Sequence, residues 1–244
     1  MIAVLKPFYH SVLRIILKLC GLDFSWYENF YTNWPHALPV VEACIHKLRP
    51  RKRSLRFFAG YDIERYAKAG DTVLDIGANI GAVSTHLLSL GYNVHAYEPD
   101  SRCVEFLRRR FTRIDKRRFH LHHEAIANYD GVTTLHYGAR TTESNTILES
   151  RPGSEISGGE EVTVRAISDV LNAVGHASLI MMDIEGAEYD VLEEMLRPEF
   201  KDKFGLCVVE SHAHKISALE SNHRRVVDMI RRCGLEDRVL LTWD

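Results

Sequence analysis

Acidic residues and a histidine follow two apolar runs in the second half of this 244-residue sequence. Asp183 ends the run "SLIMMD", while Glu210 and His212 follow the run "FGLCVV". Neighbouring parallel strands bring their carboxyl ends to one edge of a sheet, so we expect these three side chains to meet. Two carboxylates and an imidazole could accept a proton from a substrate hydroxyl. Alternatively, Asp183 and Glu210 could bind a divalent cation such as Mg²⁺, which would lower the pKa of that hydroxyl.

Two further carboxylates follow Asp183 in the segment "MMDIEGAE". Glu185 lies just beyond the predicted strand, Gly186 permits a turn, and Glu188 begins the next predicted helix. Three carboxylates within six positions repel one another unless they cap a helix or meet cations. Helix capping is a reasonable role for Glu188, whereas we interpret Asp183 as functional.

A turn with two glycines lies between a predicted buried strand and a helix in "TVLDIGANIGAVS". Its pattern, D-x-G-x-N-x-G, consists of Asp75, Gly77, Asn79 and Gly81. Positions 79 and 82 lack the glycines of a dinucleotide fingerprint, and no Gly-Lys-Ser/Thr follows as in a phosphate-binding loop. The two glycines let the backbone turn sharply and approach a ligand closely. Asp75 is expected either to face cationic or amine groups of that ligand or to cap the next helix.

A carboxylate on the next predicted strand indicates the sugar of the ligand. Glu98 ends "VHAYE", 23 residues after Asp75, and an acidic residue at this spacing reaches ribose hydroxyls. A ligand that combines an adenosine-like ribose with a cationic or amino-bearing tail is S-adenosylmethionine. The sequence therefore predicts a binding site for this cofactor.

Three segments resemble the FkbM family of S-adenosylmethionine-dependent methyltransferases, namely "VLDIGANIGAVS", "VHAYEPD" and "MMDIEGAEYDVLEEM". The resemblance covers roughly Asp71 to Glu210. It implies a class I methyltransferase fold. It also implies transfer of a methyl group, typically to a hydroxyl oxygen of a sugar or natural-product scaffold.

The resemblance also implies roles for individual residues. By position, the turn from Asp75 to Gly81 matches the cofactor loop of the family, and Glu98 matches its ribose ligand. Glu124 and Ala125, at the end of the third predicted strand, fall where the adenine is usually framed. The resemblance does not decide the region before Gly70 or the loop 138–161, which shape the acceptor site in such families.

Short apolar runs alternate with helical patterns after Gly70, which is typical of a parallel sheet covered on both faces. The prediction is an α/β domain over residues 71–244 with a doubly wound, mostly parallel, Rossmann-like sheet. The resemblance implies that this sheet is of the class I methyltransferase type. Residues 1–70 are predicted to form an N-terminal helical extension. The polar segment from Gly138 to Glu161 is predicted to be an active-site lid or a disordered loop. The C-terminal "GLEDRVLLTWD" can supply a sixth strand, which leaves no residues for the usual seventh.

Composition restricts the partners and the compartment. A net charge of −2 and a pI near 6.7 argue against nucleic acid as a partner. Five widely spaced cysteines without a C-x-x-C pair favour the reducing cytoplasm.

The segment from Met1 to Leu22 predicts an amphipathic helix, which packs on the protein or makes peripheral contact with a membrane. A missing edge strand leaves room for a homodimer, in which a partner chain replaces it.

The leading prediction is an O-methyltransferase that uses S-adenosylmethionine and acts on a small glycan or a glycosylated metabolite. One alternative is a methyltransferase for nitrogen or a peptide, although the N-P-P-Y motif of many such enzymes is absent. A second alternative is a non-catalytic, cofactor-binding protein that associates with a membrane through its N-terminal helix.

Overall fold

The computed structural model of this protein describes residues 63–138, 145–148, 156–213 and 216–242. The predicted N-terminal extension, including its amphipathic helix, therefore lies almost entirely outside the described residues. The strands are β1 (Thr72–Ile76), β2 (Asn93–Tyr97), β3 (Phe119–His122), β4 (Ala125–Ala127), β5 (Gly131–Gly138), β6 (Ile156–Ala166), β7 (Ala177–Met182), β8 (Phe204–Glu210) and β9 (Val239–Thr242). The α-helices are α1 (Ala82–Ser89), α2 (Ser101–Arg110), α3 (Ile167–Val174), α4 (Glu188–Met195) and α5 (Glu220–Cys233). None of the described helices has the length and hydrophobicity needed to cross a bilayer.

Six strands form the main sheet, in the order β3-β2-β1-β7-β8-β9. Every neighbouring pair in it is parallel, which confirms the predicted doubly wound architecture. The strand order reverses between β1 and β7, and this switch point is where open α/β sheets bind their ligands. The strands meeting there end at one level, because Ile76 pairs with Met182 and Met182 pairs with Val209.

Both faces of the main sheet are buried, which explains why its strands read as continuous apolar runs. One core contains Ile180 and Val209 together with side chains of α3, α4 and α5. The other contains Leu179 and Val208 together with side chains of α1 and α2. A fully buried aliphatic side chain of this size contributes about 1.5–3 kcal/mol to stability. The two cores therefore hold the strand ends in fixed positions.

A second sheet has three strands in the order β4-β6-β5. The prediction of a lid or loop over residues 138–161 was wrong at both ends of that segment. Gly138 ends β5, and residues 156–161 form the first half of β6, which pairs antiparallel with β5. A Cβ at Gly159 would lie 2.6 Å from the backbone oxygen of Leu135. β6 therefore needs a glycine where it approaches β5 at Leu135. The first half of β6 was not predicted as a strand because its sequence lacks alternating apolar residues.

The C-terminal segment supplies the predicted sixth strand of the main sheet. β9 pairs in parallel with β8, with Val239 opposite Cys207 and Thr242 opposite Glu210. No seventh strand joins this sheet within the described residues.

Gly77 lies where the loops after β1 and β7 approach each other most closely. Its φ is +85°, and a Cβ at this position would lie 1.8 Å from the backbone oxygen of Asp183. We predict that Gly77→Ala lowers the free energy of unfolding by about 3 kcal/mol or more, because one of the two backbones must move. Urea unfolding followed by circular dichroism measures this loss.

Gly234→Ala is the matched control for that variant. Gly234 also has a left-handed φ, +65°, but a Cβ there meets nothing within 4 Å. The left-handed conformation alone costs about 1–2 kcal/mol. Equal losses in the two variants would show that φ, and not the contact with Asp183, determines the requirement for glycine.

Candidate active site

The candidate site lies at the carboxyl ends of β1, β2, β7 and β8. The backbone N–H of Asp183 donates to the oxygen of Ile76 at 2.9 Å, and the N–H groups of Gly77 and Ala78 both donate to the oxygen of Tyr97 at 3.0 Å. These hydrogen bonds are the last ones between β1 and its neighbours β2 and β7, so the three strands end side by side. The loops that follow β1 and β7 consequently leave the sheet side by side.

The loop after β1 contains three residues with left-handed backbone conformation. The φ angles of Gly77, Asn79 and Gly81 are +85°, +48° and +77°. Glycine adopts such angles without strain, and asparagine is one of the few other residues that tolerate them. The Oδ1 atom of Asn79 accepts the N–H of Ile80 at 2.7 Å. The predicted cofactor loop is therefore tightly wound and leads directly into α1.

Glu98, just beyond β2, binds backbone groups from two loops. Its Oε2 accepts the N–H of Asn79 at 2.6 Å, and its Oε1 accepts the N–H of Asp100 at 2.8 Å. The side chain is buried, and burial raises the pKa of Glu98 to about 8 although both donors oppose the shift. The structure thus places Glu98 in direct contact with the glycine turn.

Asp75 lies beneath the glycine turn. Its Oδ2 accepts the Ser84 hydroxyl at 2.5 Å, and its side chain is buried. Burial raises the pKa of Asp75 to about 6, while the hydrogen bond from Ser84 opposes the shift. The backbone N–H of Ser84, in the first turn of α1, also bonds Asp75, which favours the capping role among the two predicted from the sequence.

Glu124 and Ala125 do not end the third strand, so this part of the prediction was wrong. β3 ends at His122, Glu124 lies in the connection that follows, and Ala125 begins β4 in the second sheet. Glu124 forms an ion pair with Arg165 at 2.9 Å. The sequence "FHLHHEAI" reads as one strand because strand-forming residues continue across this break. The contact of Glu124 and Ala125 with adenine stays a prediction.

Asp183, Glu185, Glu210 and His212 converge beyond β7 and β8, and we call these four residues the acidic rim. The distances from His212 Nε2 are 3.7 Å to Asp183 Oδ1, 3.4 Å to Glu185 Oε2 and 3.6 Å to Glu210 Oε1. The structure thereby brings together the three predicted catalytic residues and adds Glu185. Asp183 is the most exposed of the four, with 42% of its side chain accessible, whereas His212 is fully buried.

Glu185 reaches the acidic rim through a strained turn. Its φ is +54°, a conformation that residues other than glycine rarely adopt. The hydroxyl of Thr146 donates to the backbone oxygen of Glu185 at 2.9 Å. Among the described residues, the non-glycine residues with positive φ are Asn79 and Glu185, one in each loop of the site. Strained residues of this kind cluster at functional sites.

Glu188, in the first turn of α4, positions His212. Its Oε1 accepts the backbone N–H of His212 at 3.0 Å and faces the ring Nδ1 at 3.2 Å. Its Oε2 accepts the N–H of Gly186 at 2.7 Å. The role predicted for Glu188 from the sequence was helix capping. The structure shows that it joins the turn after β7 to the imidazole on the segment after β8.

Tyr189 and Ser211 form a second support beneath His212. Their hydroxyl oxygens lie 2.8 Å apart, and the N–H of Ala213 donates to the Tyr189 hydroxyl at 3.1 Å. Both side chains are buried. The sequence predicted no role for either residue, because neither residue type at its position indicates a function.

The acidic rim concentrates negative charge around one buried imidazole. Burial by itself lowers the pKa of His212, but its contacts with the carboxylates of Glu185 and Glu188 and their negative charges outweigh burial and raise this pKa to about 10. Burial, followed by the charges of Glu210 and Glu185, raises the pKa of Asp183. The rim therefore attracts a cation, either a proton or a metal ion. This environment disfavours the predicted role of His212 as the base that accepts a substrate proton.

The described segment 145–148 contacts both halves of the site. The side-chain amide of Asn145 donates to Asp100 Oδ2 at 2.7 Å, beyond β2. Thr146 bonds the turn at Glu185, beyond β7, and also pairs with β5. This part of the predicted lid therefore lies against the site, while a closing motion stays a prediction.

The fold and the site together define a class of protein. The parallel sheet reverses its order at β1 and β7, a glycine turn follows β1, an acidic residue follows β2, and a polar rim follows β7 and β8. This arrangement is that of the class I methyltransferases that use S-adenosylmethionine.

The family assignment is more specific. A model of the methyltransferase FkbM domain matches residues 75–236. The chain therefore belongs to the FkbM methyltransferase family, as the motifs around the glycine turn and Asp183 predicted. It is an enzyme that uses S-adenosylmethionine as its methyl donor.

Two solved methyltransferase structures show a distant similarity. Precorrin-6y C5,15-methyltransferase from Geobacter metallireducens GS-15 aligns with a TM-score of 0.38 and 11% identity, over 70% of this chain and 67% of its own. Phosphoethanolamine N-methyltransferase 2 from Haemonchus contortus, in complex with phosphomonomethylethanolamine and S-adenosylhomocysteine, aligns with a TM-score of 0.37 and 12% identity, over 75% of this chain and 36% of its own. These similarities are too low to assign site residues. A search of curated protein sequences returns no match.

The contacts of Glu188 generate a stability prediction. Both of its oxygens accept backbone N–H groups, from Gly186 and His212, and its side chain is fully buried. In Glu188→Gln an amide NH₂ replaces one acceptor and faces a buried N–H group. We expect this change to lower the free energy of unfolding by about 2–3 kcal/mol, as measured by urea unfolding.

Glu193→Gln is the matched control on the same helix. Glu193 forms an ion pair with Arg225 in which 30% and 52% of the two side chains are exposed. Removal of such a partly exposed pair is expected to cost less than about 1 kcal/mol. Comparable losses in the two variants would contradict the positioning role assigned to Glu188.

Proposed function

We propose that this methyltransferase acts on oxygen and transfers the methyl group to a hydroxyl of a sugar, a glycan or a glycosylated natural product. The proposal is carried by the contact between the cofactor loop and the acidic rim, where Gly77 lies against the backbone of Asp183. With the ribose on Glu98, the sulfonium and amino-acid tail of the cofactor would extend along the loop toward β7. A hydroxyl beside Asp183 would then face the methyl group.

The proposed cofactor site runs across the ends of the first three strands of the chain. Glu98 would accept hydrogen bonds from the ribose hydroxyls. The glycine turn, at Gly77 to Gly81, would let the backbone approach the tail, and Asp75 would hold this turn against α1. Glu124 and Ala125 follow β3, which neighbours β2, and we propose that they frame the adenine.

In the proposed reaction, the acceptor oxygen attacks the methyl carbon of the cofactor. The new carbon–oxygen bond forms as the carbon–sulfur bond breaks, and S-adenosylhomocysteine leaves as a neutral thioether. The hydroxyl proton passes to the carboxylate of Asp183, the most exposed group of the acidic rim. The sulfonium is already a good electrophile, so alignment of the reacting atoms supplies much of the rate. The alternative from the sequence is an Mg²⁺ ion between Asp183 and Glu210 that lowers the pKa of the hydroxyl.

The charge of the rim supports a neutral acceptor rich in hydroxyl groups. Carboxylate oxygens accept hydrogen bonds from hydroxyl donors, and the rim presents three carboxylates close together. An anionic acceptor would be repelled by the same charges. Amines and peptides are the alternative acceptors, and identification of the product distinguishes them.

The cysteines bear on the proposed location of the protein. Among the described residues, the thiols of Cys207 and Cys233 form no disulfide, which supports the cytoplasm as the proposed location. Peripheral contact with a membrane through the N-terminal helix stays a prediction, because that helix lies outside the described residues. A homodimer formed at the edge of β9 also stays a prediction.

Replacement of Asp183 tests its proposed role in catalysis. Asp183→Asn keeps the size of the side chain but removes the proton acceptor, so we expect kcat to fall by about 100-fold or more. The affinity for S-adenosylhomocysteine should stay within about threefold, since the cofactor is bound by other residues. Asp190→Asn on the exposed face of α4 is the control. A mutant of Asp183 that turns over at the wild-type rate would exclude this residue from the reaction.

Glu98 generates a prediction on pH. Its pKa is raised to about 8 in the free protein, whereas ribose hydroxyls donate to the ionised carboxylate. Cofactor binding should therefore release a proton, and affinity should fall by up to about tenfold per pH unit below 8. Calorimetric titration with S-adenosylhomocysteine between pH 6.5 and pH 8.5, in buffers that differ in ionisation enthalpy, measures both effects. Glu98→Gln should bind weakly at all these pH values, and a pH dependence unchanged in this variant would contradict the assignment.

The acceptor is identified by product analysis. A host extract is incubated with the enzyme and isotopically labelled S-adenosylmethionine, and labelled products are identified by mass spectrometry. We expect the label in a methyl ether of a sugar or glycosylated compound. Label found only on nitrogen would replace the proposed function by the N-methyltransferase alternative.

A further inference from the structure

The ring nitrogen of His212 that faces the acidic rim lacks a hydrogen-bond partner among the described residues. The same holds for Asp183 Oδ1, and both atoms are buried. The Nε2 atom lies 3.4–3.7 Å from three carboxylate oxygens, which is longer than the range of about 2.7–3.2 Å for an N–H···O bond. Buried polar atoms are normally satisfied. The spacing therefore indicates a cation between these groups.

The other ring nitrogen of His212 is already engaged. Its Nδ1 lies 3.2 Å from Glu188 Oε1, and the two backbone N–H groups bound by Glu188 fix that carboxylate. A proton on Nδ1 donates to Glu188 and leaves the lone pair of Nε2 directed at the rim. A carboxylate that binds the distal nitrogen of an imidazole in this way is the regular outer partner of a metal-binding histidine.

The distances within the rim match those between ligands of one metal ion. One atom each from Asp183, Glu185 and His212 lies within 4.8 Å of the other two. Atoms that are each about 2.0–2.2 Å from a common ion are separated by about 3–3.5 Å. The separations of 3.4 Å and 3.7 Å from His212 Nε2 lie at or just above this range.

The ligand types discriminate between metals. Mg²⁺ prefers oxygen ligands and retains its waters, whereas an imidazole nitrogen suits first-row transition metals such as Mn²⁺, Fe²⁺, Co²⁺ and Zn²⁺. Two carboxylates also balance the charge of a divalent ion. We propose that Asp183, Glu185 and His212 bind one divalent transition-metal ion and that Glu188 orients the imidazole. This assignment differs from the Mg²⁺ ion between Asp183 and Glu210 that the sequence predicted.

The strained turn and the exposure of the ligands suit such a site. The left-handed φ of Glu185 directs its side chain back into the rim beside a fully buried His212. Asp183 is partly exposed, so the coordination positions not filled by protein open toward solvent on its side. As a consequence that rests on the proposed function, the acceptor hydroxyl would occupy one of these positions and the ion would lower its pKa. The hydroxyl proton would then pass to the Asp183 carboxylate oxygen that does not bind the ion.

Metal binding is tested on the full chain, without acceptor or turnover. The purified protein is stripped with a chelator and titrated with Mn²⁺, and electron paramagnetic resonance monitors the free ion. We expect one Mn²⁺ per chain, a pulsed-resonance coupling to an imidazole nitrogen, and an affinity for Mg²⁺ at least about tenfold weaker. Absence of stoichiometric binding of Mn²⁺, Co²⁺ and Zn²⁺ would overturn the proposal and leave a proton as the cation on His212.

Variants locate the ion. His212→Gln and Asp183→Asn should each weaken Mn²⁺ binding by about 100-fold or more, and His212→Gln should abolish the nitrogen coupling. Glu188→Gln should weaken it by about 10–100-fold, as expected for an outer partner. Glu193→Gln is the control and should bind Mn²⁺ as the wild type does. Unchanged binding in the first two variants would overturn the site, and if they fail to fold, the stoichiometry and nitrogen coupling of the wild type decide.

The two proposals fail in different ways. Stoichiometric Mn²⁺ binding with methylation only on nitrogen would preserve the metal site and reject the O-methyltransferase function. Methylation of a hydroxyl at an unchanged rate in metal-free protein, with no binding of added Mn²⁺, would preserve that function and reject the metal site.

Discussion

The geometry of this enzyme depends on one close contact, between the backbone of Gly77 and the carbonyl oxygen of Asp183. Because residue 77 carries no side chain, the loops after β1 and β7 can leave the sheet back to back. The contact sets the distance between the glycine turn and the acidic rim. Methyl transfer requires donor and acceptor to be aligned at short range. The absence of a side chain at Gly77 therefore determines both the path of the two loops and the proposed alignment of methyl donor and acceptor.

The acidic rim opposes folding, and the surrounding structure compensates for it. Asp183, Glu185 and Glu210 repel one another in a partly buried region, where charges are weakly screened. The neighbouring Glu188 adds less to this cost because backbone N–H groups donate hydrogen bonds to both of its oxygens. Two apolar cores on opposite faces of the main sheet keep the strand ends in place. The site is thus an electrostatically strained region on a well-packed scaffold, which is common where a protein binds cations or performs catalysis.

The parts of the structure that could be predicted are those in which the residue types reflect burial. β1, β7 and β8 are covered on both faces, so they read as apolar runs, and their parallel ends bring Asp183 near His212. The first half of β6 is polar and pairs with β5 through backbone hydrogen bonds, which no periodicity reveals. Glu185 joins the rim through a left-handed φ that its residue type does not indicate. Glu124 and Ala125 were placed on the wrong element because the pattern of strand-forming residues runs across the break after β3.

Residues 145–148 contact the site but belong to neither apolar core of the main sheet. They belong to the connection between β5 and β6, so substitutions and insertions around them leave both apolar cores intact. Their register is nevertheless fixed, because Asn145 is bonded to Asp100 and Thr146 to Glu185. A substitution within residues 145–148 is therefore expected to change the surroundings of Glu185 while the two cores that hold the glycine turn stay intact. Among related enzymes, we expect substitutions that change the acceptor to occur more often in the hairpin of β5 and β6 than in the strands of the main sheet.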